Sequence, residues 1–420
     1  MKLETILRII KKLVPTRVFT FFQPAYHFVL ACLGAILYRF PGRTLHVTAV
    51  TGTKGKTTVT ELLGAIFTEA GYTTATSSTL RFTIAGEEER NMYKMSLPGR
   101  FFLQRFLRRA HNAGCTHVIV EVTSEAAKQY RHLFVPFDGL VFTNITPEHI
   151  ESHGSFEKYL DAKLSIGRAV AHSSKRHTVI VANTDDAHGR DFLALNTTRS
   201  FPFSFTDAPN ARVDVDTITL PVGKTSVTVN LSGRFNLANI LAAIRYARAW
   251  GITDETICHA LKRFPGIRGR MEKVDEGQNF EVLVDYAHTP ESLEAAYGAR
   301  NTRKICILGG TGGGRDREKR ARMGRVANAH CDHIILTDED PYDEDPEQIV
   351  RDVKEGISST PVDIIMDRRE AIARGCALAQ SNDTVYITGK GTDPYIVGPE
   401  GKKTSWDDAS VVREVLQKKY

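Results

Sequence analysis

Cysteine is scarce in this sequence and is scattered along it. The 420 residues include six cysteines, and no two of them form a Cys-x-x-Cys pair. Closely spaced pairs are typical of structural zinc sites, and dense, regular spacing is typical of small secreted disulfide frameworks. The sequence therefore predicts neither kind of site, and its cysteine content fits a reducing cytoplasm.

A long apolar run is also missing. Residues 24–40 form the most apolar stretch, but His27 and Arg39 interrupt it, so it falls short of the ~20 apolar residues needed to cross a bilayer. Strand-like sequence begins at Leu45 without a small-residue cleavage pattern, so we do not expect a signal peptide. We expect residues 1–44 to form a helical segment that is buried or interfacial. Because this segment is basic, a peripheral membrane contact stays open.

The overall charge is not strongly biased. A net charge of +6 arises from 55 Lys and Arg against 49 Asp and Glu, which is too small an excess to predict a nucleic-acid partner. The contents of 42% hydrophobic and 25% charged residues are ordinary for a globular protein. Since 420 residues exceed what one hydrophobic core organises, we predict two or three domains.

Short β-branched runs alternate with helical segments from residue 45 onward. The runs LHVTAV, CTHVIVEV, GLVFTNI and HTVIVAN are separated by segments with apolar residues at helical spacing, which is typical of a parallel sheet wrapped by helices. Residues 212–231 instead alternate apolar and polar residues, which predicts an antiparallel hairpin that extends the sheet edge. Two helices, over residues 236–250 and 253–264, follow before a cluster of Pro and Gly ends the pattern.

A second α/β series begins near residue 280. Its strand-like runs are FEVLVDYA, KICILGG, HIILTDED and DTVYITGKG, and a helix closes the chain over residues 406–420. The carboxyl ends of parallel strands form the ligand crevice of such sheets. The sequence therefore predicts an α/β protein with an amino-terminal helical segment (1–44), a central parallel-sheet domain (45–266) and a Rossmann-like domain (267–420).

The turn after the first predicted strand has the composition of a phosphate-binding loop. It consists of Gly52, Thr53, Lys54, Gly55, Lys56, Thr57 and Thr58. Glycines let backbone N–H groups approach phosphate oxygens, and the following helix adds a favourable dipole. Lys56 would neutralise the β- and γ-phosphates, and Thr57 is placed to bind Mg²⁺. Val50 replaces the first glycine of the strict pattern, so this is a variant of the loop. The loop predicts that the central domain binds ATP.

Further motifs occur in the order in which Mur ligases carry them. They are IVEVTSEAA (119–127), FTNITPEHIESHGSFEKYLDAK (142–163), VANTDD (181–186), GRFNLANILAA (233–243), GRMEKV (269–274), VDYAHTPESLE (284–294), GGTGGGRDREKR (309–320) and TGKG (388–391). With these motifs the chain resembles the Mur ligase family from about residue 45 to its end. Within the family it is most similar to the ligases that add the third residue of the peptidoglycan stem peptide. The resemblance implies a P-loop ATPase domain, a Rossmann-like ligase domain, and ADP-forming amide synthesis through an acyl phosphate.

The resemblance also implies a catalytic and metal-binding set. Its members are Lys56, Thr57, Glu121, His149 and Lys163, which would hold one or two Mg²⁺ ions. Considered alone, Glu121 suits a helix-capping acid and His149 an ordinary loop histidine. In the family the lysine that matches Lys163 is carbamylated. That modification turns a cation into an anionic metal ligand and requires some neutral amine, so we expect Lys163 to be partly buried.

Other residues match family positions that contact ATP. Asn236, with Asn239 beside it, matches the segment that contacts adenine, although Asn236 also suits a helix N-cap. Arg270, Asp285 and His288 match positions at the start of the second domain that reach the nucleotide. Each of these three would equally suit a hinge or a turn.

Candidate substrate contacts lie in both predicted domains. Ser96 and Arg100 fall in a segment that touches the acceptor in relatives, although Arg100 also suits a helix start. The glycine-rich loop after KICILGG ends with Arg315, Lys319 and Arg320, any of which would suit a carboxylate. A mobile, solvated turn is the ordinary interpretation of such a loop.

Two departures from the family pattern concern the substrates. Asp340 and Tyr342 stand where diaminopimelate-adding relatives have Asn and Arg, and an acidic pocket would favour a basic amine such as lysine, arginine or ornithine. Only about 44 residues precede the first predicted strand, fewer than a separate uridine-nucleotide domain needs. A ligase that extends a poly-amino-acid or another acceptor without a nucleotide is therefore an alternative, and a P-loop regulatory or binding protein is the alternative outside catalysis. The expected partners are a carboxylate acceptor and an amino acid, without nucleic acid.

Overall fold

The computed structural model describes residues 16–99, 101–146, 153–314 and 317–418. These residues form two compact units. The first takes its described residues from Met1–Arg212, Thr219–Thr228 and Arg234–Phe264, and the second from Val213–Ile218, Val229–Gly233 and Pro265–Tyr420. Each unit is built on a sheet with helices, so the predicted α/β class is confirmed.

An eight-stranded sheet forms the centre of the first unit. Its strands are β1 (His46–Thr51), β2 (Thr74–Ser77), β3 (Arg81–Ile84), β4 (Glu87–Arg90), β5 (His117–Glu121), β6 (Gly139–Phe142), β7 (Val179–Asn183) and β8 (Arg199–Phe203), in the order β4-β3-β2-β5-β1-β6-β7-β8. The six strands β2-β5-β1-β6-β7-β8 are parallel, and β3 and β4 add an antiparallel hairpin next to β2. The central strands are buried on both faces, which explains why their sequences are continuously apolar.

The helices of the first unit connect these strands. They are α1 (Thr16–Leu37), α2 (Lys56–Glu69), α3 (Phe102–Asn112), α4 (Ser124–Lys128), α5 (Phe156–Ala171), α6 (Gly189–Leu193), α7 (Arg234–Ala249) and α8 (Asp254–Lys262). The side chains of Ser155 and Thr253 accept backbone N–H bonds at the starts of α5 and α8, as N-cap residues do. Within the described part of the chain, no helix is long and apolar enough to span a bilayer.

The predicted hairpin is present, but it does not extend the first sheet. β9 (Arg212–Val213), β10 (Ile218–Val222) and β11 (Thr225–Val229) form a separate three-stranded sheet. The edge strand β8 contains Pro202, which has no N–H to donate to a further strand and is typical of sheet edges. The expectation that this hairpin continues the first sheet was therefore wrong.

A six-stranded sheet forms the centre of the second unit. Its strands are β12 (Glu272–Lys273), β13 (Glu281–Asp285), β14 (Lys304–Leu308), β15 (His333–Leu336), β16 (Val362–Ile364) and β17 (Thr384–Thr388), in the order β12-β13-β17-β14-β15-β16. A small antiparallel pair, β18 (Tyr395–Val397) and β19 (Lys403–Ser405), lies apart from it. Val282 and Ile305 pack into the core on one face of the large sheet, whereas Leu283 and Cys306 pack into the core on the other.

Short helices complete the second unit and the connections. The α-helices are α9 (Pro290–Tyr297), α10 (Glu318–His330), α11 (Pro346–Lys354), α12 (Arg368–Leu378) and α13 (Asp408–Gln417), and single 3₁₀ turns lie at Pro41–Arg43, Phe205–Asp207 and Pro399–Gly401. Arg368 on α12 is buried and pairs with Asp408 on α13 at 2.8 Å. Because the pair is buried, removal of either partner would leave an uncompensated charge in the core.

A disulfide joins Cys306 to Cys331 in the second unit. Cys306 lies on β14, and Cys331 follows α10 just before β15, the strand paired with β14. The scattered spacing of the cysteines did not predict this pair, because 25 residues separate its members and only the adjacency of two strands brings them together.

Burial of His132 should make the stability of the first unit depend on pH. Burial lowers the pKa of His132 from 6.5 to about 4. Between these values the unfolded chain binds more protons than the folded chain, so stability should fall as the pH falls from 6.5 towards 4. The contribution of this one residue should be about 2 kcal/mol between pH 7 and pH 5.

Urea unfolding of wild type and His132→Asn at these two pH values tests this contribution. The variant should lose about 2 kcal/mol less than wild type on acidification. The exposed His111 supplies the matched control, because His111→Asn should keep the full pH dependence. An equal pH dependence in all three proteins would contradict the prediction.

Candidate active site

The phosphate loop links the carboxyl end of β1 to the amino end of α2. Gly55 precedes the helix with φ 84°, a left-handed conformation that favours glycine. A Cβ at this position would lie 2.1 Å from Oδ1 of Asn239. Position 55 therefore needs glycine for two reasons, its backbone conformation and the close approach of Asn239.

Two residues after β6 hold the loop in place. The side chain of Asn144 accepts the backbone N–H of Lys54 at 2.9 Å, and its carbonyl accepts that of Thr53 at 2.8 Å. The Thr143 hydroxyl donates to the carbonyl of Lys54 at 2.7 Å. Roles for Thr143 and Asn144 were not predicted from the sequence, although their place after a predicted strand was a usable signal.

Lys56 turns back over the loop. Its Nζ donates to the carbonyls of Gly52 at 3.0 Å and Thr53 at 2.7 Å. A cation is therefore held among the backbone N–H groups at the start of α2, where a phosphate would find both charge and donors. Thr58 lies in the same first turn and is buried.

Thr57 and Glu121 meet at the base of the loop. The Thr57 hydroxyl donates to Oε2 of Glu121 at 2.9 Å, and Glu121 is buried at the end of β5. Thr79 also donates to this carboxylate, from its backbone N–H at 3.1 Å and from its hydroxyl at 3.0 Å to Oε1. Sequence reasoning missed Thr79, which lies in a segment without a recognisable motif.

A hydroxyl and a carboxylate side by side supply oxygen ligands of the kind that Mg²⁺ prefers, so Thr57 and Glu121 fit such an ion. Groups of three or more His, Cys, Asp or Glu side chains suited to a metal are not found among the described residues. His149 lies outside these residues.

Lys163 is buried although it lies on a helix whose other lysine, Lys158, is exposed. Its Nζ donates to the carbonyl of Gly52 at 2.7 Å and lies 4.8 Å from the centroid of the Tyr159 ring. The Tyr159 hydroxyl in turn bonds with the Thr53 hydroxyl at 2.9 Å. Helix α5 thus brings both Lys163 and Tyr159 against the phosphate loop.

The first unit also contains the residues predicted to contact adenine and the acceptor. Asn236 and Asn239 are buried on α7, and Nδ2 of Asn239 donates to Oδ1 of Asn236 at 2.9 Å. Ser96 is buried, and its carbonyl accepts the hydroxyl of Ser77 at 2.8 Å. Arg100 lies outside the described residues. Asn239 therefore contacts the phosphate loop through Gly55 and also holds Asn236.

Three candidates for nucleotide contacts cluster in the second unit. The carboxylate of Asp285 accepts the backbone N–H groups of Met271 and Ala287, both at 2.7 Å. Burial raises the pKa of Asp285, and the nearby Arg270 opposes that rise. The Arg270 guanidinium lies 4.7 Å from the Tyr286 ring centroid, and Nδ1 of His288 lies 2.9 Å from the carbonyl of Tyr286. The sequence-predicted residues Arg270, Asp285 and His288 are thus neighbours.

The basic residues of the glycine-rich loop differ from one another. Arg320 is fully buried and pairs with Asp352 at 2.8 Å and Glu344 at 3.0 Å. A substrate carboxylate could reach this guanidinium only if both ion pairs opened, so its role in this structure is to hold the loop. Lys319 lies half-buried in the first turn of α10, and Arg315 lies outside the described residues.

Asp340 is paired with a lysine inside the second unit. Its carboxylate accepts Nζ of Lys390 at 2.8 Å and the backbone N–H of Val397 at 2.7 Å. Tyr342 is half-buried, and its ring lies against Gly313 of the glycine-rich loop. Lys390 also pairs with Asp393 at 3.3 Å, so it compensates the charge of Asp340 only in part, and Asp340 is already engaged in this ion pair rather than open to an incoming amine.

Comparison with known families supports the assignment of the fold and the loop. The model of the Mur ligase middle domain matches residues 50–247, and that of the Mur ligase glutamate ligase domain matches residues 269–391. A solved structure of a UDP-N-acetylmuramoyl-L-alanyl-D-glutamate–2,6-diaminopimelate ligase has a TM-score of 0.61 and 28% identity, covering 89% of this chain and 79% of that one. The folylpolyglutamate synthase of Mycobacterium tuberculosis, with a TM-score of 0.69, 15% identity and coverage of 86% and 92%, shares the fold.

Two curated relatives are similar over nearly the whole chain. The UDP-N-acetylmuramoyl-L-alanyl-D-glutamate–2,6-diaminopimelate ligase of Syntrophomonas wolfei is 36% identical over 406 residues, covering 93% of this chain and 82% of the relative. The UDP-N-acetylmuramyl-tripeptide synthetase of a Roseiflexus species is 35% identical over 425 residues, covering 94% and 82%. The chain therefore belongs to the Mur ligase family and is an ATP-dependent, ADP-forming acid–amino-acid ligase.

Proposed function

We propose that this ligase joins an amino acid to the carboxylate of a UDP-N-acetylmuramoyl dipeptide, the step that adds the third residue of the peptidoglycan stem peptide. The observation that carries the proposal is the 36% identity, over 93% of this chain, with a relative whose name states that acceptor and diaminopimelate. The requirement for ATP supports a cytoplasmic reaction.

We assign the activation step to the phosphate loop of the first unit. Lys56 and the N–H groups at the start of α2 would stabilise charge on the γ-phosphate during its transfer. Thr57 and Glu121 would hold Mg²⁺, which neutralises phosphate charge when it is bound. The acceptor carboxylate attacks the γ-phosphorus, so that the bond to ADP breaks and an acyl phosphate forms. The amine then attacks the acyl carbon, phosphate leaves, and the nitrogen releases a proton.

We assign Lys163 to the same site as a carbamylated lysine. A neutral amine at Nζ would attack CO₂ and release a proton to solvent, which gives an anionic carbamate. The carbamate oxygens together with His149 would hold a second Mg²⁺ and orient the acceptor. Burial of Lys163 supports this assignment because a buried amine is less readily charged. Nζ of Lys163 lies 2.7 Å from the Gly52 carbonyl, so a carbamate formed on it would lie beside the phosphate loop.

The second unit would bind the nucleotide and the amine. Arg270, Asp285 and His288 are assigned to ATP, and their backbone bonds and ring contact support a prearranged cluster. Lys319 and Arg315 are assigned to substrate carboxylates, and Tyr342, beside the same loop, to the amine. Ser96, Asn236 and Arg100 keep the acceptor and adenine roles that the resemblance implies. Diaminopimelate, which the name of the relative states, and lysine are the first candidates for the incoming amine.

Phosphate release from ATP tests the proposal directly. The purified chain should turn over with UDP-N-acetylmuramoyl-L-alanyl-D-glutamate and one amine of the set diaminopimelate, lysine, ornithine and arginine. The same dipeptide without the nucleotide should react at least about 100-fold more slowly, because a truncated acceptor loses the binding energy that its remote part contributes to the rate. Lys56→Ala should be inactive with every pair.

Two results would overturn this function in different ways. Turnover with poly-aspartate and arginine, but not with the UDP-linked dipeptide, would assign the chain to ligases of non-nucleotide acceptors. Equal rates with and without the uridine nucleotide would show that the ligase does not recognise the nucleotide part of the acceptor.

A further inference from the structure

Several large apolar side chains of helix α1 face away from the protein. Phe22, Tyr26, Val29, Leu33 and Ile36 are between 42% and 60% exposed. Their spacing alternates between four and three residues, so they lie on one face of the helix. We call these five residues the apolar stripe. In a helix that only packs against its own protein, the large apolar side chains would instead be the buried ones.

Small residues attach the opposite face of α1 to the first unit. Ala31 and Ala35 are buried, as is Gly34, which allows close packing. At the end of the helix the Arg108 guanidinium donates to the carbonyls of Tyr38 at 2.7 Å and Arg39 at 3.1 Å. The helix is therefore held by the face that carries these small residues and by its carboxyl end, and this attachment keeps the apolar stripe facing outward.

The excess positive charge of the sequence is concentrated in residues 1–43, which include this helix. Residues 1–43 contain seven Lys and Arg and one Glu. This excess of six equals the net charge of the whole chain, so residues 44–420 carry equal numbers of basic and acidic side chains. Within α1 itself, charge is confined to Arg17, so the stripe could enter an apolar medium without desolvating a charge.

We propose that the apolar stripe and its basic flank bind the surface of an anionic phospholipid bilayer. Apolar side chains on one helix face, flanked by lysine and arginine, are what interfacial helices use to bind anionic lipids. Arg39 and Arg43 are exposed just beyond the helix and provide part of this flank. A second copy of the chain is a poorer occupant, because Arg39 and Arg43 of the two copies would be brought together and would repel. The contact would bring the ligase to the membrane surface whatever its acceptor is.

Vesicle co-sedimentation of the full chain tests the proposal. The protein should bind phosphatidylcholine vesicles that contain about one third phosphatidylglycerol, and it should bind pure phosphatidylcholine at least about tenfold more weakly. Raising NaCl from about 0.1 M to about 0.5 M should weaken binding, since the Debye length shortens. Leu33→Glu, and separately Arg39→Glu with Arg43→Glu, should each reduce binding at least about tenfold.

A matched variant and an activity measurement separate a surface effect from unfolding. Ile364 is an exposed apolar residue in the second unit, so Ile364→Glu should bind vesicles as wild type does. All variants should keep wild-type phosphate release in the absence of vesicles. Wild-type binding by Leu33→Glu, or equal binding to neutral and anionic vesicles, would overturn the proposal. A concentration-dependent dimer that Leu33→Glu dissociates would also overturn it, because the stripe would then be covered by a second copy.

Discussion

Replacing Glu121 with glutamine should lower ATP-dependent ligation by about 1000-fold, which corresponds to about 4 kcal/mol of transition-state stabilisation. The carboxylate lies 2.9 Å from the Thr57 hydroxyl at the base of the phosphate loop. Glutamine keeps an acceptor for Thr57 and Thr79 but loses the negative charge that would hold Mg²⁺. The loss should therefore appear in the rate and in the Mg²⁺ dependence, whereas the fold should be retained.

Phosphate release over a Mg²⁺ titration, together with thermal unfolding, checks this result. Glu69 lies in the last turn of α2, where it pairs with Arg263 near the surface, so Glu69→Gln is a matched control that should stay near wild-type activity. Near-normal turnover of Glu121→Gln, with an unchanged Mg²⁺ requirement, would show that Glu121 serves the fold rather than the metal.

Lys163→Met should lower ligation by a similar factor, about 1000-fold. If Lys163 acts as a carbamate, its activity depends on CO₂, because the modification is reversible. Wild-type turnover should then fall in CO₂-depleted buffer and return when bicarbonate is added. If Lys163 acts only as a cation that holds the Gly52 carbonyl, CO₂ should have no effect and Lys163→Arg should retain part of the activity.

The control for this residue lies on the same helix. Lys158 is exposed, so Lys158→Met should keep wild-type turnover and the same response to CO₂. Because Lys163 is buried, its replacement also removes a buried hydrogen bond worth about 1 to 3 kcal/mol. Unfolding curves must therefore show that the variant is folded at the assay temperature. A folded Lys163→Met with normal turnover would exclude Lys163 from the catalytic set.

Much of the site was accessible from local sequence because a phosphate loop is a local structure. The residues between β1 and α2 are consecutive, and glycine, lysine and threonine at that spacing act through backbone geometry that a strand-to-helix turn enforces. The carboxyl ends of parallel strands lie at one edge of a sheet, so Glu121 at the end of β5 lies near Thr57, which follows β1. Thr79 and Tyr159 carry no such pattern, and they reach the site through turns and helix packing.

The sequence by itself determined the α/β class, the phosphate loop and the family resemblance. The class follows from the periodicity of apolar residues, and the loop and the resemblance follow from motifs of consecutive residues. Only the tertiary structure decided which charged groups are already paired. Arg320 and Asp340 looked like substrate contacts, but Asp352, Glu344 and Lys390 reach them from distant positions. The disulfide between Cys306 and Cys331 likewise depends on the pairing of β14 with β15. The position of β8 at the edge of its sheet, apart from the hairpin, is also a property of the tertiary structure. Pairing depends on proximity in space, which sequence spacing does not report.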